Sequence, residues 1–293
     1  MQKIGFIGLG IMGKAMVKNL LKQGFSVDFY ARHKEKTIDA IECGATFHDS
    51  IKEALEDVDV AITMVGGPRD VEDIYFREGG IFDSVKEGTY LIDMTSSSPS
   101  LAKKLYAKGK ELGMYVLDVP VTGGDVGARD GTLSLMVGGD ESTLEKVTPV
   151  LSAMGSRITY MGEAGSGQNC KLVNQIMCAG SLAGMCEGLA YAKSRGLPLE
   201  SVLHAVSSGA AASRSLDLYG ERICIGDMQP GGALSYLVKD LKNAHNELSG
   251  KDLKLKMTDA VLDVYAAMEK EGLGSLGVQA MYAYLLDKEQ HND

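Results

Sequence analysis

No hydrophobic stretch in this chain reaches the ~18 residues that a membrane-spanning helix needs. Positive charge is also scarce: 30 lysines and arginines stand against 39 aspartates and glutamates, for a net charge of −9. That balance argues against nucleic acid or an anionic membrane as the main partner, because both are bound through basic surfaces. The five cysteines (Cys43, Cys170, Cys178, Cys186, Cys224) form no CxxC pair, and the five histidines form no HxxxH or HExxH. Reduced thiols and no metal site are therefore expected. The strand-like pattern begins at Lys3-Ile4, which leaves no room for a signal peptide, so a cytoplasmic location is the expectation.

What is present has the composition of an ordinary globular protein, with 45% hydrophobic and 24% charged residues. At 293 residues it is long enough for two cores. Lys3 to Gly13 reads as a short apolar strand running into GxGxxG at Gly8, Gly10 and Gly13, with Leu9, Ile11 and Met12 between them. An amphipathic helix pattern follows through Leu21, then a second strand at Phe25–Tyr30. In such a βαβ unit the glycines permit a tight turn and close approach to a pyrophosphate, and the helix amino end offers free amides to it. The second strand ends in Tyr30-Ala31-Arg32-His33-Lys34, with no acid to accept a ribose hydroxyl; Asp28 lies two residues too early. Arg32 suits a 2′-phosphate, so NADP is the preferred cofactor and NAD the alternative.

Further strand patterns run through Val58–Val65, Thr89–Met94, Tyr115–Val119, Thr132–Val137 and Arg157–Tyr160, with helical spacing between several of them. Ligands of such sheets bind at the carboxyl ends of the strands, which makes Val65, Gly66, Thr95 and Ser96 candidate cofactor neighbours. After Asp118-Val119-Pro120-Val121, the turn Thr122-Gly123-Gly124 carries a hydroxyl and consecutive amides that could receive a carboxylate. From Gln168 to about Arg195 the spacing stays helical, and only helices are expected beyond it. The expected division is 1–163 for the nucleotide-binding domain and 164–293 for an all-helical domain.

The junction carries Lys171, Asn174 and Gln175 at i, i+3 and i+4, one face of a helix that follows the glycine-rich turn Gly165-Ser166-Gly167. Reversible hydride chemistry at a carbonyl needs a proton donor and acceptor. No Tyr-xxx-Lys pair and no convincing His–Asp pair appears in the right place, and Lys171 is the acid/base candidate. Free lysine titrates near ~10.4, so base chemistry at neutral pH calls for burial or a nearby cation, with Lys239 the expected cation.

In these motifs the chain resembles the β-hydroxyacid dehydrogenase family, which includes 3-hydroxyisobutyrate dehydrogenases and tartronate semialdehyde reductases. The resemblance covers essentially the whole length, through Gly8–Gly13, Asp118–Gly124, Gly165–Gln175 and the Gly226-to-Asp240 segment. It implies an α/β Rossmann domain with a doubly wound, mostly parallel sheet, joined by a long helix to an all-α domain, and assembly as a homodimer or homotetramer. It also implies that Lys171 is the catalytic lysine, that Thr122, Gly123 and Gly124 meet a substrate carboxylate, that Asn174 with Gln175 contacts the substrate, and that Lys239 lies near the cofactor. The implied reaction is NAD(P)-dependent interconversion of a short 3-hydroxy acid and its semialdehyde, of the 3-hydroxyisobutyrate, tartronate semialdehyde or succinic semialdehyde type. Reduction of another carbonyl or imine on the same scaffold stays open, as does a non-catalytic sensor. Three positions depart from the family pattern: Gln175 replaces an asparagine, Thr122 a serine, and Gly232 a common aromatic.

Overall fold

The computed structural model describes residues 2–290. Compactness divides the chain into Met1–Lys171 and Leu172–Asp293.

The first unit is built on nine strands: β1 (Lys3–Ile7), β2 (Ser26–Tyr30), β3 (Thr46–Phe47), β4 (Val60–Thr63), β5 (Tyr90–Asp93), β6 (Tyr115–Asp118), β7 (Val121–Thr122), β8 (Leu133–Gly138) and β9 (Gly155–Gly162). Their order is β3-β2-β1-β4-β5-β6-β8-β7, with β9 paired to β8. β1 to β6 run parallel to their neighbours, and β8 turns antiparallel to β6 and β7 before β9 pairs parallel with it. The near-continuous apolar strands follow from burial on both faces. Phe6, Ile62, Ile92 and Leu117 pack on one side with Met16 and Leu20 of helix Ile11–Lys22. Their strand neighbours Ile7, Ala61, Leu91 and Val116 pack on the other, with Val71 of helix Pro68–Phe76 and Leu105 of helix Pro99–Glu111. Alternation along each strand thus supplies two cores from one sheet. The chain order reverses between β1 and β4, which opens a crevice at the carboxyl edge of the sheet.

The helix spanning Ser166–Ser194 starts in this unit and carries the chain into the second. There Ala179, Leu182, Cys186 and Leu189 recur at helical spacing and pack with Leu237, Leu241, Tyr265 and Met268. The remaining helices include Leu199–Val206, Arg214–Cys224, Leu234–Glu247, Lys256–Met268 and Met281–Gln290. Apolar spacing places two of these helices at Leu253–Met268 and Leu276–Leu286, and both begin later. Leu253 stands exposed before the helix at Lys256, and a 3-10 turn at Val278–Ala280 takes the place of helix before Met281. A π-helical stretch at Glu269–Leu273, containing Gly272 at φ 88°, follows the helix that ends at Met268, where its apolar spacing also ends. One isolated antiparallel bridge, Ala233 to Gly277, is the local exception to helix in this unit among the described residues.

Candidate active site

The GxGxxG segment joins β1 to the helix at Ile11, and its three glycines answer to three different constraints. Gly8 has φ 99°, and a Cβ there would collide with the Met64 carbonyl. A Cβ at Gly13 would collide with the Gly8 carbonyl, so Gly13 sets the close packing of helix on strand. Gly10, the N-cap at φ −73°, would meet nothing of the protein within 4 Å. Its lack of a side chain answers to no neighbour in the fold. It leaves the helix amino end bare, with no acid in the first turn, as a pyrophosphate requires. The residues present therefore fit a dinucleotide.

The structure explains why Asp28 is no substitute for an acid at the end of β2. Its carboxylate is buried within the strand and bonded to the Lys3 ammonium at 3.0 Å. Arg32 lies beyond the strand, 71% exposed, with Nη1 3.4 Å from Asp70 at the start of helix Pro68–Phe76. That carboxylate lies where a Cβ on Gly66 would fall, so Arg32 and Gly66 share one neighbourhood. Val65 and Thr95 also come together: the Val65 N–H donates to Thr95 Oγ1 at 3.1 Å.

Lys171 is buried, and its Nζ donates to the carbonyl of Val121 at 2.9 Å. The lysine is thereby brought to the residue before Thr122. Gly123 and Gly124 have φ 132° and 67°, conformations that favour glycine, and a short helix begins at Gly124. Turn and lysine, 50 residues apart, sit beside one another at the carboxyl end of the sheet.

Two residues within these motifs, to which the sequence assigned no role, hold this arrangement. Asp118, at the end of β6, accepts from the backbone N–H of Gly165 at 2.7 Å and of Gln168 at 2.8 Å. Gln168, fully buried, donates to the Thr95 carbonyl at 2.8 Å and accepts from Ser97 N–H at 2.9 Å. One carboxylate and one carboxamide thus tie the amino end of the lysine helix to β5 and β6. Burial pushes the Asp118 carboxyl up to about 6, against the opposing pull of its amide donors. Burial likewise pushes Asp93 to about 6; Thr63 and Thr95 pull it down by hydrogen bonding, and the Asp118 charge raises it further. Asp93 Oδ1 accepts from Thr63 Oγ1 at 2.7 Å and from Thr95 N–H at 3.1 Å. No local signal distinguishes Gln168 from an ordinary polar residue in a first helical turn, because its partners lie more than 70 residues away in the chain.

Within the second unit, Asn174, Gln175, Asp240 and Lys239 form a chain of polar contacts. Asn174 Nδ2 donates to Gln175 Oε1 at 2.8 Å, Gln175 Nε2 donates to Asp240 Oδ2 at 2.7 Å, and Lys239 Nζ is 3.2 Å from Asp240 Oδ1. The extra methylene of Gln175 is what carries its amide to this carboxylate. At Gly232 a Cβ would meet nothing within 4 Å, so the missing aromatic leaves open space there.

Residues 3–162 match the model for the NAD-binding domain of 6-phosphogluconate dehydrogenase. Residues 165–285 match the model described as NAD-binding of NADP-dependent 3-hydroxyisobutyrate dehydrogenase. The chain belongs to the β-hydroxyacid dehydrogenase family. Among its relatives, the uncharacterized oxidoreductase YkwC of Bacillus subtilis is 43% identical, over 95% of this chain and 98% of that one. The 2-hydroxy-3-oxopropionate reductase of Escherichia coli is 34% identical, over 95% of each. In structure, the 3-hydroxyisobutyrate dehydrogenase of Mycobacterium tuberculosis, solved with L-serine, superimposes with a TM-score of 0.88 at 28% identity, covering 97% of this chain and 99% of that one. As a family member the protein is an NAD(P)-dependent hydroxyacid dehydrogenase, with the Rossmann-type sheet and helical second half that this family's sequence motifs imply. Among the described residues no helix is long and apolar enough to cross a membrane.

Proposed function

We propose that this dehydrogenase interconverts a short 3-hydroxy acid and its semialdehyde, with Lys171 as general acid and base. The observation that carries the proposal is the buried Lys171 ammonium held against the carbonyl that precedes the Thr122-Gly123-Gly124 turn. The turn's hydroxyl and amides suit the substrate carboxylate, and the lysine beside it suits the hydroxyl on C3. In the oxidative direction neutral Lys171 takes the hydroxyl proton as the carbonyl forms. In reduction the ammonium returns it to the alkoxide. The chemistry that the nicotinamide supplies when bound is acceptance of the C3 hydride. Gly8, Leu9, Gly10, Ile11, Met12 and Gly13 would hold its pyrophosphate, with Val65, Gly66 and Thr95 alongside. Arg32, charged and exposed at the end of β2, supports NADP over NAD.

A homodimer or homotetramer is proposed as the working form. The long helix turns Val173, Met177 and Tyr191 outward, at 55%, 69% and 66% exposure, along the side where Gly180, Gly184 and Gly188 have open space. A cytoplasmic location accords with five cysteines that form no disulfide.

The test is a panel of 3-hydroxy acids and semialdehydes (tartronic, methylmalonic and succinic), run with NADPH and NADH in parallel. Lys171→Ala should retain NADPH binding by fluorescence titration and lose on the order of 10²–10⁴-fold in kcat. Wild-type kcat in that variant on a confirmed substrate would remove Lys171 from the mechanism.

A further inference from the structure

The glycine turn of the first unit is flanked by opposite charges. Tyr30, Ile7 and Thr63 are paired abreast, so β2, β1 and β4 end level with one another. The turn leaves the middle strand, Arg32 lies just past β2, and Asp70 lies past β4 in the first turn of helix Pro68–Phe76. The three basic side chains that directly follow β2 are all engaged. His33 Nδ1 is 3.3 Å from Glu35, Lys34 Nζ lies over the Phe47 ring of β3, 4.5 Å from its centre, and Arg32 Nη1 is 3.4 Å from Asp70 Oδ1. Only the Arg32 pair among these three reaches across from β2 to the segment after β4.

The fold sets Asp70 in that position. Val71, Ile74 and Tyr75 bury one face of its helix, and the helix amino end stabilises a negative charge in its first turn. A Cβ on Gly66 would collide with Asp70 Oδ2, so the space the carboxylate occupies exists because residue 66 has no side chain. From this we infer that Asp70 determines cofactor specificity against Arg32: it is the carboxylate that the end of β2 lacks, opposing a 2′-phosphate and accepting the 2′-hydroxyl of NAD. The inference rests on the proposed reading of Arg32 as the partner of the 2′-phosphate. A phosphate that takes Arg32 must take it from Asp70, and then lies close to a second negative charge. NADH brings no such charge, and its hydroxyl has a proton to donate to the carboxylate.

The test is fluorescence titration of the protein with NADPH and with NADH, which needs no substrate. Asp70→Asn should raise the ratio of NADPH to NADH affinity on the order of 10-fold. Removing a like charge from this partly exposed site tightens NADPH by about 3–5-fold, and weakening the acceptor costs NADH a similar factor. The two cofactors differ only at the 2′ position, so a general loosening of the helix acts on both and cancels in the ratio. Asp70→Ser repeats the measurement with a different side chain, so that a folding defect in one variant leaves the other to read. Asp70→Glu keeps the charge and should stay closer to the wild-type ratio than either. Arg32→Ala, titrated alongside, checks the reading beneath the inference. A loss confined to NADPH in Arg32→Ala, with an unchanged ratio or a shift toward NADH in the folded Asp70 variants, overturns the inference while the role of Arg32 stands. A glutamate variant with the asparagine ratio overturns it as well, since charge would then not be the cause. Equal weakening of both cofactors by Arg32→Ala removes the 2′-phosphate from Arg32 and overturns both.

Discussion

Asp118→Asn isolates the anchor of the lysine helix, because two large terms oppose each other there. The carboxyl sits at about 6 in the fold against an ordinary 3.8, so holding it charged at neutral pH costs about 3 kcal/mol. That figure is already net of the pull from its bonds to Gly165 N–H and Gln168 N–H. Asparagine removes the cost of the charge but turns one oxygen into an NH2 facing a backbone N–H. One bond is lost and one buried donor is left unpaired, together about 2–4 kcal/mol. The variant should therefore match the wild type near neutral pH to within about 1 kcal/mol. Its pH dependence is the sharper signature. A carboxyl raised in the fold binds its proton more tightly there than in the unfolded chain, so stability increases as pH falls through about 6 and is lost as pH rises. Between about pH 7.5 and pH 5 the Asp118 contribution amounts to about 1.4 kcal/mol. The variant loses that contribution, and part of the Asp93 contribution as well, because the Asp118 charge helps raise Asp93. Urea unfolding of both proteins at the two pH values measures the difference. The same pH dependence in variant and wild type would refute the assignment, and a variant clearly more stable at neutral pH would show that the lost amide bond costs less than the buried charge.

Gly10→Ala and Gly13→Ala should separate cofactor from fold. The first should leave Tm nearly unchanged and weaken NADPH binding on the order of 10-fold or more, whereas the second, driven into the Gly8 carbonyl, should lower stability by about 1–3 kcal/mol; equal behaviour of the two by thermal melts and titration would contradict the roles given to them. Gln168→Leu strips Ser97 N–H and Thr95 C=O of their shared amide and should cost about 2–4 kcal/mol, with faster hydrogen exchange at Ser97; a loss under about 0.5 kcal/mol would deny the amide its structural part. Arg32→Ala should raise KM for NADPH on the order of 10-fold with little change for NADH, as expected for loss of one charged contact to a 2′-phosphate, and parallel changes for both cofactors would count against NADP.

Strand and helix spacing made the alternating architecture legible, since two-sided burial writes Val60-Ala61-Ile62 and Leu91-Ile92 as apolar runs. Short elements escaped it. Two residues at Thr46–Phe47 or four at Ile81–Ser84 are too few to establish a period. The late start at Lys256 and the π-helical turn at Gly272 depend on local backbone geometry that apolar spacing does not encode. Among candidate residues, Lys171 and Thr122 each stand out by their neighbours in the chain. The hydrogen bond that draws the lysine to Val121 closes a gap of 50 residues, which no local pattern spans.

The same division runs through the chemistry. Glycine spacing, a strand end without an acid and a lysine in a glycine-led helix are local features, and local sterics and charge are enough to read a dinucleotide site and an acid/base group from them. Which polar groups face each other is a matter of distant segments meeting. Asp118 and Gln168 look unremarkable until burial removes water and leaves them the partners of backbone amides. Gln175 reads as a departure by one methylene until the carboxylate of Asp240, 65 residues on, gives its amide a direction. Hydrogen bonds acquire their polarity from what is at both ends, and here the far end is supplied by folding.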